Sequence, residues 1–464
     1  MTTTRVLAVI GVAALAGSAH AWEAETTQAG LAEQAALASR LDHRLITLGW
    51  NGGLFEPLTI PPADAPALIA DLHLLSPSQG MVPDARGRQT ALAWLAAGAA
   101  LADLPARLAA NHFYDVWTGK GWTKPERSLL GALDNKVREQ MGRAALPDHG
   151  VPAPDWVVSN DNPFNLANFM DQYAKAASAA TPGERSRHMA AALIAAGAMM
   201  HVLGDLGAPS RVRGDEAAHL APLGAGPDDR GSRFERIAAL SFGRLGVPAP
   251  SRVITRARLR DYFTSRDGTG LADEIASTYF SPGTLPRPSR VADEAHPVLA
   301  RPKPTLPARL NLVAATREEG TTLRASDGTC LARYRVEHDI LTFSLDDDCM
   351  LEQVTQILPE VAAYETGLLD FLLRGELTIT IGPMVAVSAK DLGVGTTEVL
   401  VEDERGVRTS LGTVQSILAR KSKDPVELAR VPTPQSGTKI IAVFRGVDAS
   451  GEPIVAVGAL PMSR

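Results

Sequence analysis

A histidine and an aspartate lie four residues apart in a strongly apolar segment. They are His201 and Asp205, in the stretch His-Val-Leu-Gly-Asp. If this segment is helical, the spacing puts both side chains on one face, with about 5–6 Å between their Cβ atoms. An imidazole and a carboxylate placed in this way can bind one Zn²⁺ ion at about 2.0–2.2 Å. The alternative is a His–Asp pair with a purely structural role, and the motif alone leaves both open.

A second pair of candidate ligands lies upstream. His112 stands in the aromatic segment Asn-His-Phe-Tyr-Asp, and Asp103 follows an Ala-rich helical pattern. Taken alone, His112 also fits a buried core histidine. Together with His201 and Asp205, these residues supply two imidazoles and two carboxylates, which is a complete nitrogen and oxygen ligand set for zinc. We call these four residues the four-ligand cluster.

The N-terminus has the pattern of a secretory signal. Arg5 gives the positive end, residues 6–15 form a short apolar run, and Ala-His-Ala at 19–21 is a small-x-small cleavage site. The apolar run is too short to span a bilayer. We predict a signal peptide over residues 1–21, a secreted or periplasmic protein, and Trp22 as the mature N-terminus. The amine and carbonyl of Trp22 could chelate a metal, although any residue can follow a cleavage site.

The elements that must position the cluster are helical. Up to about residue 280, apolar residues recur at helical spacing, and Pro and Gly clusters separate the helical stretches. The predicted helices cover residues 29–48, 89–101, 124–144, 165–180, 183–206, 230–245 and 351–374. We expect no segment after the signal to be long and apolar enough to span a membrane.

The rest of the chain has a different sequence pattern. Residues 282–307 are rich in Pro and Arg and predict an extended connector. Residues 310–350 have a strand-forming pattern and contain Cys330 and Cys349, which in an exported protein most simply form one disulfide, with two buried thiols as the alternative. Short β-type runs follow residue 375. We predict a mainly α domain over 22–375, with an insertion at about 282–350, and a small β-sandwich over 376–464.

Composition and charge argue against several functional classes. Hydrophobic residues make up 45% of the chain and charged ones 21%, as in an ordinary globular protein. A formal charge of -6 and an aromatic content of 5% do not favour a polyanion-binding surface. The chain has no Gly-x-Ser-x-Gly elbow, no phosphate-binding Gly-x-x-x-x-Gly-Lys loop and no dinucleotide fingerprint.

The order of the motifs resembles that of a known family. A Trp after the cleavage site, His-Phe-Tyr-Asp, His-x-x-Gly-Asp followed by Ala-Pro, and Ser-Arg-Phe-Glu at 232–235 occur in that order. This is similar to the zinc-dependent phospholipase C family, whose all-helical fold is shared with fungal and plant single-strand-specific nucleases. The closing helical stretch at 364–374 also resembles the end of that domain. The resemblance covers roughly residues 22–374, apart from the insertion.

The resemblance implies three zinc ions that bind a phosphate group and activate a water. The four-ligand cluster matches the ligands of one zinc, and Asp103 is also a candidate catalytic residue. A second zinc would use Trp22, Asp205 and a histidine, but this chain has Thr-Thr-Gln at 26–28 where the histidine is expected. The third would use positions occupied here by Arg211, Gly231 and Glu235, of which only Glu235 can bind zinc.

Two functions follow from this partial ligand set. The first is an exported zinc-dependent phosphodiester hydrolase, in which zinc lowers the pKa of a bound water to near 7 and Arg211 or Arg213 binds the phosphate. Its substrate would be a small or lipid head-group phosphoester, with nucleic acid less favoured because of the charge. The alternative is a catalytically weakened relative that acts as a binding protein and keeps a structural zinc. His219, eight residues after Arg211, is an alternative ligand that could replace a lost one, but we expect it to be a solvated loop residue.

Overall fold

The computed structural model describes residues 24–75, 80–104, 106–124, 147–219, 232–245, 249–250, 252–291, 297–417 and 424–462. The signal peptide, Trp22, Gly231 and most of the helix predicted over 124–144 lie outside these residues.

Helices are the predominant secondary structure of the described chain before the C-terminal sheets. In chain order they are α1 (Ala29–Ala38), α2 (Leu41–Leu48), α3 (Pro66–Leu72), α4 (Ala91–Leu101), α5 (Ala153–Trp156), α6 (Leu166–Ser178), α7 (Pro182–Gly204), α8 (Pro209–Val212), α9 (Arg233–Leu245), α10 (Arg260–Phe263), α11 (Leu271–Thr278), α12 (Leu312–Ala315) and α13 (Asp347–Leu372). A π-helical turn at Ala24–Gln28 and 3-10 turns at Ala106–Asn111, Asp205–Gly207 and Glu216–His219 also contribute to the site.

Helix α7 is the central element of the helical part, and local sequence signals predict where it begins. Thr181 caps it by accepting a hydrogen bond from Glu184 N at 3.3 Å, and Glu184 bonds back to Thr181 N at 3.0 Å. This reciprocal arrangement satisfies two otherwise free N–H groups. Residues 182–207 are in fact long and apolar enough to cross a membrane, contrary to our expectation. However, 94% of the apolar window is buried inside the fold, so its composition reflects packing in the core.

Two glycines let α4 and α7 approach closely. A Cβ on Gly98 would lie 2.1 Å from Ile194 O, and a Cβ on Gly197 would lie 2.0 Å from Leu95 O. No side chain fits at such distances, so only glycine permits this contact. The close packing brings the end of α4 beside the end of α7, where the candidate ligands lie.

One predicted helix is divided in two. The single helix expected over residues 29–48 is wrong, because Ser39 adopts an extended conformation and ends α1. Its hydroxyl accepts a hydrogen bond from Leu41 N at 3.1 Å, at the start of α2. Serine competes for backbone groups in this way and favours helix ends.

The insertion forms a small antiparallel sheet with the strand order β3-β6-β5-β4. Its strands are β3 (Ser289–Arg290), β4 (Thr321–Arg324), β5 (Cys330–Glu337) and β6 (Ile340–Ser344). The predicted connector over 282–307 therefore contains a strand, because residues 289 and 290 pair with β6. Cys330 and Cys349 form the expected disulfide. Cys349 lies in α13, which begins earlier than predicted because Asp346 caps it by accepting from Cys349 N at 2.8 Å.

The C-terminal region is a β-sandwich. One sheet has the order β11-β10-β13-β14-β7 and the other β12-β9-β8. Their strands are β7 (Gly375–Glu376), β8 (Thr378–Ile381), β9 (Met384–Ala389), β10 (Leu392–Glu402), β11 (Arg408–Ile417), β12 (Val426–Pro432), β13 (Lys439–Asp448) and β14 (Pro453–Pro461). The remaining short hairpin, β1 (Pro57–Thr59) with β2 (Arg88–Thr90), precedes α4. The predicted fold class, a helical domain followed by a β-sandwich, is confirmed.

The larger sheet is covered on both faces. Along β13, Ile440 and Phe444 pack between the two sheets, whereas Ile441 and Val443 belong to the core of the helical part. Alternate residues of a strand point to opposite faces, so one strand contributes to both cores. The buried Arg408 guanidinium reinforces this junction, since it donates to the carbonyls of Ala177 and Leu48 from the helical part.

Candidate metal centre

Three segments bring the four-ligand cluster together. Asp103 follows the end of α4, His112 follows the 3-10 turn at 106–111, and α7 carries His201 and leads directly into Asp205. All four side chains are 0% exposed. One ligand atom from each residue lies within 4.8 Å of the others, so the cluster could hold a metal ion.

The orientation of His201 is fixed by α4. Its Nδ1 lies 2.6 Å from Ala99 O. Because a carbonyl oxygen can only accept, Nδ1 carries a proton and donates to it. The other ring nitrogen, Nε2, lies 3.2 Å from Asp205 Oδ2 and 3.4 Å from Asp103 Oδ2. A backbone carbonyl that fixes the tautomer in this way is the usual support of a metal-binding histidine.

The second imidazole completes the cluster. His112 Nδ1 lies 2.8 Å from Asp205 Oδ2 and 3.2 Å from Asp103 Oδ1. Ligand atoms around a tetrahedral ion with bonds of about 2.0–2.1 Å, as zinc has, are separated by about 3.3 Å. The imidazole–carboxylate separations range from 2.8 to 3.4 Å, around this value, and the donor set is one that zinc accepts. The residues therefore fit the metal that the sequence predicts.

The electrostatics of the cluster depend on its carboxylates. Burial opposes a charge on His201, but Asp205 and Asp103 outweigh it and raise the pKa of His201 to about 10. Burial also opposes the charge on Asp205, yet Arg211 and His201 hold its pKa below the usual range. The site therefore attracts positive charge, which protons or a metal cation can supply.

Arg211 lies beside the cluster and bridges two carboxylates. Its Nε donates to Glu235 Oε1 at 2.7 Å, and its Nη1 lies 3.3 Å from Asp205 Oδ2. The guanidinium also packs over the ring of Phe113, 4.6 Å from its centroid. Arg211 is only 2% exposed, so this geometry argues against the predicted contact with a substrate phosphate. Arg213, the alternative residue predicted to bind the phosphate, is 0% exposed and donates to Thr284 Oγ1 at 2.7 Å.

Glu235, the remaining ligand predicted for a third zinc, faces this guanidinium. Its Oε2 accepts from Ser232 N at 2.5 Å and lies 3.4 Å from His219 Nδ1. Burial would raise the pKa of Glu235, but Arg211 outweighs it and lowers the pKa to about 2. The prediction that His219 is solvated is wrong, because its ring is buried against Phe113 with the centroids 4.8 Å apart.

Two buried residues near the cluster were not assigned by sequence reasoning. Gln28 stands where the resemblance implies a histidine ligand, and its Nε2 donates to Asp205 Oδ1 at 2.8 Å. Glu365, in α13, is 0% exposed and lies against Gly204. The available signal for Glu365 was an acid within the apolar stretch Val-Ala-Ala-Tyr-Glu-Thr-Gly-Leu-Leu at 361–369.

A groove of about 690 Å³ is lined in part by the chain between Asp103 and His112. Leu104 and Leu108 from that segment are among its apolar lining residues. Its polar lining residues include Asp64, Asp71, Asp161, Arg187 and His188. The groove has the size of a small-ligand site.

Comparisons with known proteins give only distant likenesses. No protein-family model matches this chain, and a comparison with curated proteins finds no match. Among solved structures, the alpha toxin of Clostridium absonum is 14% identical, with a TM-score of 0.31, and the match covers 96% of this chain and 97% of the toxin. The alpha-toxin of Clostridium perfringens, from avian strain SWCP, is 11% identical with a TM-score of 0.30, covering 96% of this chain and 100% of that one. Likeness at this level assigns neither family nor function.

Proposed function

We propose that the protein binds one zinc ion through the four-ligand cluster and that the ion has a structural role. The observation that carries this proposal is a set of two imidazoles and two carboxylates, all 0% exposed, with ligand atoms within 4.8 Å of one another. Structural zinc sites are closed by four protein ligands, whereas catalytic sites keep one position open for water. Such an ion joins α4, α7 and the turn at 106–111, which are separate in sequence.

The charges around the cluster support a single divalent ion. Asp103, Asp205 and Glu235 bring three buried negative charges close together. Arg211, which pairs with Asp205 and Glu235, and one Zn²⁺ ion bring three positive charges. Buried charges are tolerated when they are balanced by partners, so a second ion beside Arg211 would be disfavoured.

Hydrolysis of a phosphoester at this zinc is the second candidate function. The observation that favours it is the groove lined by Leu104 and Leu108, whose segment joins two cluster residues. In this case the ion would polarise a phosphoryl oxygen or activate a water, with Asp103 beside it as the candidate catalytic carboxylate. The substrate would be a small or lipid head-group phosphoester, and single-stranded nucleic acid is the less favoured alternative.

Elemental analysis and activity assays on the same purified protein test both functions. We expect about one zinc per chain, and His201→Ala should remove it and lower the Tm, because an ion bound only to the native state stabilises that state. His43→Ala, which changes an exposed histidine of α2 that belongs to neither the cluster nor the groove lining, is the control and should retain the metal. Zinc-dependent hydrolysis of phosphatidylcholine or single-stranded DNA would favour the enzyme, and absence of zinc from the wild type would overturn both proposals.

We also propose that the protein is secreted or periplasmic. The disulfide between Cys330 and Cys349 supports this, because disulfides persist mainly in oxidising compartments. Exported protein should begin Trp-Glu-Ala in N-terminal sequencing, and thiol labelling of the unfolded, unreduced chain should find no free cysteine. Two labelled cysteines would contradict the proposal.

A further inference from the structure

Two buried oxygen acceptors lie beside the metal centre without a donor. Glu365 is 0% exposed, and among the described residues neither of its carboxyl oxygens has a hydrogen-bond partner. Gln28 is also 0% exposed, and its Oε1 likewise has no partner in the described part of the chain. Buried polar atoms are almost always hydrogen-bonded, so this pair requires an explanation.

The backbone at Gly204 lies beside both acceptors. A Cβ at this position would be 2.6 Å from Glu365 Oε1 and 2.8 Å from Gln28 Oε1. Both oxygens therefore border the same small space, which the missing side chain of Gly204 leaves open. Gly204 directly precedes Asp205, so the pair adjoins the four-ligand cluster.

The orientation of the Gln28 amide follows from its other contact. Its Nε2 donates to Asp205 Oδ1 at 2.8 Å, which leaves Oε1 as the acceptor that borders the same space as the Glu365 carboxyl group. An ionised carboxylate has no proton to donate, whereas a neutral carboxylic acid has one O–H. Two such acceptors can therefore bond directly only if the carboxyl group carries a proton.

We infer that Glu365 is a neutral carboxylic acid that donates a hydrogen bond to Gln28 Oε1 and thereby positions Asp205 for the metal. In this chain of contacts, Glu365 holds Gln28, Gln28 holds Asp205 Oδ1, and Asp205 Oδ2 faces the two imidazoles. Glu365 is thus a positioning residue that touches neither metal nor substrate. Its effect on metal binding rests on the proposed zinc site.

The surroundings of Glu365 favour the neutral form. When the four-ligand cluster holds no metal ion, burial in α13 raises the pKa of Glu365 well above its usual value, which His201 opposes and Asp205 reinforces. An ionised glutamate without a donor or a cation would be a very costly group in this interior. A protonated glutamate can donate a hydrogen bond to Gln28 Oε1 and avoids the cost of a buried, unpaired charge.

Two substitutions of the same residue separate this role from simple packing. Glu365→Gln keeps the shape and still offers a donor, so its zinc affinity should stay within about twofold of the wild type. Glu365→Leu keeps the volume approximately but removes the donor, and should weaken zinc binding by about 10–100-fold, as other losses of supporting partners do. Glu360→Gln, on the same helix but with a 24% exposed side chain, is the control and should have no effect.

Infrared spectroscopy of the metal-free protein provides a readout independent of zinc. The wild type should show the C=O stretching band of a protonated buried carboxyl group, and Glu365→Gln should lose it. If that band is absent, or if Glu365→Gln weakens zinc binding as much as Glu365→Leu, the inference is overturned. The second result would instead indicate a hard cation held by the Glu365 carboxylate and Gln28 Oε1. If the wild type binds no zinc, the proposed function fails, while the infrared band still tests the hydrogen bond.

Discussion

Arg211 already supplies one positive charge to this site, and it therefore limits how much further positive charge the site can bind. A guanidinium does not lose its proton in a protein, so Arg211 is a permanent cation between Asp205 and Glu235. Replacing Arg211 with Met should destabilise the protein by about 3–5 kcal/mol, because two buried carboxylates lose their partner. The double variant Arg211→Met, Glu235→Leu should recover part of this loss. Urea unfolding measures both, and a single variant as stable as the wild type would contradict the pairing.

The Glu235 carboxyl group makes the stability of the same region depend on pH. Its pKa is lowered from 4.5 to about 2 in the folded protein, since Arg211 outweighs the effect of burial. The resulting stabilisation is fully present above the unfolded value of 4.5 and is lost as the pH falls towards 2. In Glu235→Gln, the free energy of unfolding should therefore fall less steeply across this interval. Parallel curves for the two proteins would show that Glu235 is not preferentially ionised in the native state.

At the scale of elements, the contact between α4 and α7 positions the cluster. Gly98→Ala would place a methyl group 2.1 Å from Ile194 O and force the helices apart. Ala99 O would then move away from His201 Nδ1, so we expect lower stability and weaker zinc binding together. Gly183→Ala is the matched control, because a Cβ there meets no described atom within 4 Å. That substitution should stabilise α7 by about 0.4–1 kcal/mol, and equal losses in thermal unfolding of both variants would contradict the argument.

Elements and contacts differ in how far the sequence predicts them. The start of α7 follows from local signals, because Thr181 and Glu184 form a capping box and Pro182 stands at the start of the helix. The spacing of His201 and Asp205 likewise predicts a shared helical face, since it depends only on the helix repeat. The bond between Gln28 and Asp205 joins residues 177 positions apart, and it depends on how α1 and α7 pack. Neither this bond nor the approach of Glu365 to Gly204 has a local pattern from which to predict it.

At the scale of the whole molecule, the β-sandwich and the helical part share one buried sheet. Ile441 and Val443 of β13 belong to the helical core, so separating the two parts would expose apolar surface on both. The sequence did not predict this, because both faces of β13 are apolar and alternation alone cannot show what covers each face. We therefore expect one cooperative thermal transition for the native protein.

Arg408 provides the test at this junction. Its side chain is 2% exposed, pairs with Glu402 at 2.8 Å and donates to Ala177 O and Leu48 O of the helical part. Arg408→Ala removes this donor from both carbonyls and this partner from Glu402, and should lower the Tm by several degrees or split the transition in two. Arg405→Ala, at an 87% exposed side chain, is the control and should leave the Tm unchanged. Two separate calorimetric transitions in the wild type would mean that the sandwich unfolds independently, and the shared sheet would then not couple the two parts.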